Sequence, residues 1–157
     1  STGGFTQVLL HFGASRVFAV DVGTDQLDPI LKGDPRVTSL EQTNCRNLND
    51  EIISPPPSVL VSDLSFISLK TALPAALDLA APDAMLMALI KPQFEAGRER
   101  LGKGGVVRDP SVIEEITQDL ILWFSDQNWP VIATATSPIS GPDGNTEILC
   151  LARRKHV

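Results

Sequence analysis

The chain has 157 residues, of which 43% are hydrophobic and 20% charged, and its formal net charge is −6. This length suits one domain with a substantial buried core, and the acidic balance excludes a protein that coats nucleic acid by bulk charge. No apolar run reaches the roughly 18 residues of a membrane span, and the polar Ser1-Thr2-Gly3-Gly4 start has neither the basic nor the apolar region of a secretory leader. In chain order, Phe5 to Phe12 is a helix with Phe5, Val8, Leu9 and Phe12 on one face, stopped by Gly13. Arg16 to Asp21 is a short apolar strand ending in a carboxylate. Gln26 to Leu31 is a short helix, and Val37 to Glu41 a weaker strand. Asn44 to Pro57 is a polar loop closed by three prolines. Ser58 to Asp63 is a second strand ending in a carboxylate. Ile67 to Ala81 is an amphipathic helix that Pro74 kinks or shortens. Ala84 to Lys91 is the most apolar strand, and Gln93 to Asp109 a glycine-rich, charged loop. Pro110 to Asn128 is the strongest helix, with Ile113, Ile116, Leu120 and Phe124 on one face. Pro130 to Thr136 and Glu147 to Ala152 are strands joined by the turn-rich loop 137–145.

Strands alternating with helices predict a mostly parallel sheet with helices on both faces. Ligands in such sheets bind at the carboxyl ends of the strands. Asp21, Asp63 and Lys91 all fall at such ends. Cys45 and Cys150 are isolated and read as reduced thiols of a cytosolic protein. No metal-ligand pattern is present. A glycine turn stands at the start with no strand ahead of it, which reads as a fold whose first strand is missing.

Five segments carry chemistry. Gly3 and Gly4 precede a helix, where free amides and close backbone approach suit a ligand, although a plain turn has the same sequence. Asp21 can accept the ribose hydroxyls of an adenosine-containing ligand, or simply cap a turn. Asp63, between an apolar strand and an apolar helix, can cap that helix. Lys91 ends a buried strand, where lysine is uncommon without a partner. Desolvation would lower its proton affinity and neighbouring carboxylates would raise it, so base and electrostatic stabiliser both stay open. Glu147 opens the last strand after a loop with two prolines and two glycines. Arg98, Arg100, Lys103 and Arg108 form one basic cluster and Arg153-Arg154-Lys155-His156 another; both are either solvated charge or a phosphate-facing edge.

In order and spacing these segments resemble the methyltransferase domain of the TlyA-type hemolysin-A family, related to the FtsJ-like ribosomal RNA 2′-O-methyltransferases. The resemblance rests on Ser1-Thr2-Gly3-Gly4-Phe5-Thr6, Ala19-Val20-Asp21-Val22-Gly23, Asp34-Pro35-Arg36-Val37, the run from Ser62 to Leu69, that from Ile90 to Gly97, that from Gly102 to Asp109, and that from Ser137 to Glu147. It implies a Rossmann-like α/β class I methyltransferase fold whose last strand is antiparallel, in a single domain over residues 1–157. It implies S-adenosyl-L-methionine as methyl donor, held by Gly3, Gly4, Phe5, Asp21 and Asp63. It also implies a Lys-Asp-Lys-Glu tetrad, of which Asp63, Lys91 and Glu147 are the members present. The first tetrad lysine, the first strand and an S4-like RNA-binding domain lie upstream in that family. The implied partners are ribosomal RNA and ribosomal subunits, with no membrane, in the cytoplasm; Arg98, Arg100 and Lys103 are the expected RNA contacts.

Three other readings stand beside this one. A membrane-active hemolysin, as the family name suggests, has no span, basic amphipathic helix or barrel pattern behind it. A nucleotide-binding oxidoreductase lacks the full Gly-x-Gly-x-x-Gly and leaves Lys91 and Glu147 without a role. A non-catalytic remnant that binds the donor or RNA is the third.

Overall fold

The computed structural model describes residues 1–155, apart from the side chains of Arg98 and Pro142. The chain divides into two compact units, Ser1–Pro55 and Pro56–Val157.

The first unit holds α1 (Gly4–His11), β1 (Val17–Val20), α2 (Pro29–Lys32) and β2 (Val37–Leu40). β1 and β2 pair in parallel, from Val17 opposite Val37 to Val20 opposite Leu40. Asp28 caps α2 by accepting from the Ile30 amide at 2.8 Å, with Pro29 in the first turn. α1 departs from expectation in one respect. It buries Thr6 and Leu10, whereas Val8 and Phe12 are 51% and 82% exposed. Thr6 and Leu10 are four residues apart and share a face. Apolar residues at 5, 8, 9, 10 and 12 allow more than one stripe, and packing selects the one centred on Leu10.

The second unit holds β3 (Val59–Ser62), α3 (Leu69–Ala72), α4 (Pro74–Leu79), β4 (Met85–Ile90), α5 (Pro92–Glu95), α6 (Pro110–Asp126), β5 (Val131–Thr136) and β6 (Ile148–Arg153). The strand order is β3-β4-β6-β5. β3 and β4 are parallel, and β6 runs antiparallel to both of its neighbours, as the expected last strand should. The predicted helix over Ile67 to Ala81 is two helices, because Pro74 cannot donate the amide that would carry α3 into α4.

Leu86, Ala88 and Ile90 of β4 share a face with Ile148, Cys150 and Ala152 of β6, and all six are buried. They form one core with Leu69, Leu73 and Leu77 of the α3–α4 segment, Ile116, Leu120 and Phe124 of α6, and Trp129. Each large side chain so buried contributes about 1.5–3 kcal/mol. Within this unit these helices all meet that one face. The other face carries Met85, Met87, Leu89, Leu149 and Leu151, which are half-buried. Among the described residues no helix is long and apolar enough to cross a membrane, and Cys45 and Cys150 are free thiols.

Candidate active site

Register explains why three distant residues meet. Ile90 of β4 pairs with Ile148 of β6 as the last rung of an antiparallel ladder. The next residue on one strand is Lys91 and the preceding one on the other is Glu147, so the two stand opposite each other beyond that rung. β3 lies on the other side of β4 and ends at Ser62, which delivers Asp63 to the same end of the sheet. The Lys91 ammonium lies 2.5 Å from Asp63 Oδ1 and 3.9 Å from Glu147 Oε1, and it donates to Ser65 Oγ at 3.3 Å. Its side chain is 11% exposed, that of Glu147 9%, and that of Asp63 48%. A lysine so enclosed needs its carboxylate partners. The structure thus brings Asp63, Lys91 and Glu147 together as one site.

Asp63 does not cap the following helix. Ser68 does so, accepting from the Lys70 amide at 3.2 Å, which leaves the Asp63 carboxylate to Lys91. Burial pushes the Glu147 carboxyl above its ordinary proton affinity; Lys91 pulls it down and Asp63 adds a smaller upward push.

Two local devices shape this end of the sheet. Gly141 lies against Glu147: a Cβ there would stand 2.4 Å from Glu147 Oε1 and 3.0 Å from its Cδ. Buried Asn145 accepts from the Val107 amide at 3.1 Å, fastening the loop 102–109 beside Glu147. An open cleft of about 600 Å³ lies between that loop, the first turns of α6 and the end of β5.

Sequence reasoning gave no role to Glu95, Ser65, Phe66 or Gly141. Glu95 Oε2 accepts from Ser68 Oγ at 2.6 Å, and Oε1 accepts from the Leu69 amide at 2.8 Å. Burial pushes its carboxyl up, and those two hydrogen bonds pull it back. Phe66 is 91% exposed, has φ 65° and stacks at a tilt on Phe94 with ring centroids 5.0 Å apart. A left-handed phenylalanine costs about 1–3 kcal/mol and persists only where its surroundings enforce it. Glu95 follows Lys91 by one helical turn, which is the only signal in the sequence that pointed to it.

Of the residues expected to hold a methyl donor, Gly3, Gly4, Phe5 and Asp21 lie in the first unit. Gly3 is the N-cap of α1 at φ 102°, and a Cβ there would strike Leu31 and Leu27 at 2.4 and 2.7 Å. Gly4 has open space where a side chain would point. No side chain at the N-cap accepts from the first amides of α1. Phe5 is half-buried. Asp21 follows the last residue of β1; its Oδ1 accepts from the Gly23 amide at 2.7 Å, and its Oδ2 faces the Ser1 amino group. Among the described residues no cluster of His, Cys, Asp and Glu is arranged to hold a metal.

The basic residues differ from one another. The side chain of Arg98 lies outside the described residues. Arg100 pairs with Glu115 of α6 at 2.9 Å, whereas Lys103 is exposed on its loop. Arg153 pairs with Asp83 at 3.4 Å, and Arg154 donates to the Ala80 carbonyl at the end of α4. Much of the basic tail is thus structural, and His156 lies outside the described residues.

The FtsJ-like methyltransferase family model matches residues 1–154. The 16S/23S rRNA (cytidine-2′-O)-methyltransferase TlyA of Mycobacterium tuberculosis is 46% identical over 147 residues, which are 94% of this chain and 55% of that protein. The chain therefore spans about half the length of the curated relatives it matches. A solved structure named as a hemolysin, from Streptococcus thermophilus, is 42% identical with a TM-score of 0.95, covering 99% of this chain and 56% of that one. The N-methyltransferase NodS of Bradyrhizobium japonicum, at 16% identity, has a TM-score of 0.63 over 99% of this chain and 82% of its own, and bears on the fold alone. With a mixed sheet ending in an antiparallel strand and a family model that runs through both units, the chain belongs to the FtsJ-like methyltransferase family.

Proposed function

We propose that this chain is the catalytic part of a cytoplasmic enzyme that transfers a methyl group from S-adenosyl-L-methionine to a ribose 2′-hydroxyl of ribosomal RNA. The observation that carries the reading is the enclosed Lys91 ammonium, 2.5 Å from Asp63 and 3.9 Å from Glu147 at the carboxyl end of the sheet. The name of the tuberculosis relative supports the substrate class. A single family model over residues 1–154 supports reading the two units as parts of one domain.

The uncapped α1 with its open approach at Gly4 fits the anionic end of the donor, and the Asp21 carboxylate fits its ribose hydroxyls. Gly3, Gly4, Phe5 and Asp21 of the first unit are assigned to hold it, and Asp63 of the second unit carries the assignment that the family resemblance gave it. Bound there, the donor supplies an electrophilic methyl group on a sulfonium. The chain's own task is alignment and charge. Lys91, engaged by a carboxylate, donates a hydrogen bond to the acceptor oxygen and stabilises the negative charge that develops as the hydroxyl proton passes to solvent. Asp63 and Glu147 fix the ammonium in that position. The exposed Phe66 ring beside them offers a flat surface to a nucleobase. Arg98, Arg100 and Lys103 are assigned to RNA phosphates.

The test is label transfer from methyl-tritiated S-adenosyl-L-methionine to ribosomal subunits by the full chain. Lys91→Ala is expected to abolish transfer and leave donor affinity within about twofold. No transfer by the parent, with the donor bound, overturns the reading. Loss of donor affinity in Lys91→Ala overturns the assignment of that lysine. Leakage of liposomes by the pure protein would instead favour the membrane-active alternative.

A further inference from the structure

We propose that Glu95 is a positioning residue for methyl transfer: its carboxylate locks the segment 63–69 onto the turn 91–95 and so holds Asp63 and Ser65 in register with Lys91. This rests on the reading of Lys91 and Asp63 given above.

The two segments run from the carboxyl ends of adjacent parallel strands, β3 and β4. They touch at both ends. At the near end Lys91 meets Asp63 at 2.5 Å and Ser65 at 3.3 Å. At the far end Glu95 takes the Ser68 hydroxyl at 2.6 Å and the Leu69 amide at 2.8 Å. Between them the Phe66 and Phe94 rings meet at 5.0 Å. Residues 64–67 belong to no helix or strand, and Phe66 holds a left-handed backbone, so this stretch has no regular ladder to keep its shape. Ser68 and Leu69 are its downstream anchor, and their attachment to the Lys91 turn runs through one carboxylate. Glu95 stands one helical turn from Lys91 on α5, so the two ends of the contact are rigidly spaced.

Ordinary helix capping would also place an acceptor at the Leu69 amide. The two roles differ in what they predict. A cap supports stability alone, whereas a clamp acts on turnover through the placement of Asp63, Ser65 and Lys91.

The experiment compares Glu95→Ala, Glu95→Gln and Ser68→Ala with the parent, in the full chain. It reads kcat and KM for methyl transfer to ribosomal subunits, affinity for S-adenosyl-L-methionine, melting temperature, and hydrogen exchange of residues 64–69. Glu95→Ala is expected to lower kcat about 10- to 100-fold, the size of a small misplacement at a reacting centre. Donor affinity should stay within about twofold. Glu95→Gln retains an acceptor for the Leu69 amide and an amide group that can donate to Ser68 Oγ, and it should restore most of the rate. Ser68→Ala removes one of the two bonds to Glu95 together with the cap on the Lys70 amide, and should cost about three- to tenfold in kcat beyond any loss that follows melting temperature. Unchanged kcat in Glu95→Ala overturns the clamp. So does a rate loss that tracks melting temperature while Ser68→Ala turns over normally, because that pattern belongs to a cap. Should the parent not methylate, the functional reading fails, and exchange decides the clamp separately: faster exchange over 64–67 in Glu95→Ala upholds it, and exchange quickened at Ser68 and Leu69 alone, or nowhere, removes it.

Discussion

At the scale of single residues, the site consists of one enclosed cation and the side chains that hold it. Asp63, Lys91 and Glu147 each stood out in the sequence as a polar residue where an apolar strand meets a turn, and the family resemblance implied that they belong together. Gly141 did not stand out, because its importance lies in what it leaves empty. Its φ lies outside the left-handed region, so alanine is compatible with its backbone, and the added Cβ must displace the Glu147 carboxylate 2.4 Å away. Gly141→Ala is therefore expected to melt close to the parent and to lower the single-turnover rate about 10- to 100-fold. An unchanged rate would show that Glu147 does not need its present position. Glu147 itself allows a prediction with a definite sign. Burial raises its proton affinity in the folded chain. Such a carboxyl favours folding fully below the unfolded value of about 4.3, and that contribution is lost as pH rises through the higher folded value. Above that folded value the ionised, buried group opposes folding. Glu147→Gln should then melt higher than the parent at pH 7, with the difference closing toward pH 4, while methyl transfer falls. A lower melting temperature at pH 7 would mean that the pair with Lys91 outweighs the burial.

Elements were legible to within a residue or two wherever an apolar run had a clear stop. Pro110 and Asp109 mark the start of α6, where Asp109 accepts from the Ser111 amide at 2.9 Å. The face of α1 was not legible, since several stripes through Phe5 to Phe12 are apolar and only contact selects one. The long loop Gln93 to Asp109 concealed the most structure. It takes in α5 from Gln93 onward, and its glycine-rich part closes on itself through a Gly102 amide to Val106 carbonyl bond of 3.0 Å. Its link to the loop before β6 is Asn145, which is 4% exposed. Asn145→Ala leaves the Val107 amide buried without that acceptor, at a cost of about 1–3 kcal/mol. Denaturant unfolding should show this loss, and hydrogen exchange should quicken over 102–109. Stability equal to the parent would mean that another group takes up the Val107 amide.

At the scale of the whole molecule, charge is the organising fact. A net charge of −6 makes weak RNA binding the expectation for this chain alone, with affinity concentrated in a few basic positions. The structure ranks them. Arg100 already pairs with Glu115, so its charge is partly committed, whereas Lys103 is exposed. Lys103→Glu should weaken RNA binding more than Arg100→Glu, and should flatten the slope of log affinity against log salt by about 0.7–0.9 for each phosphate that is no longer neutralised. Binding measured between 50 and 200 mM salt checks this. A slope unchanged in both variants would place the RNA elsewhere.

The sequence by itself determined the alternation of strands and helices, the ends of most elements and the polar residues that stand at strand ends; that Asp63, Lys91 and Glu147 form a triad was implied by the family resemblance. The former follow from local periodicity, from proline and glycine stops, and from polar residues that interrupt apolar runs. Only the tertiary structure decided which residues serve that triad. The ladder register from Met85 opposite Arg153 to Ile90 opposite Ile148 sets Glu147 across from Lys91. The return of Glu95 onto Ser68 and Leu69, and the space left by Gly141, are likewise contacts between residues far apart in sequence or groups whose absence matters. Local pattern records neither, because hydrogen-bond partners and excluded volume exist only after the chain has closed on itself.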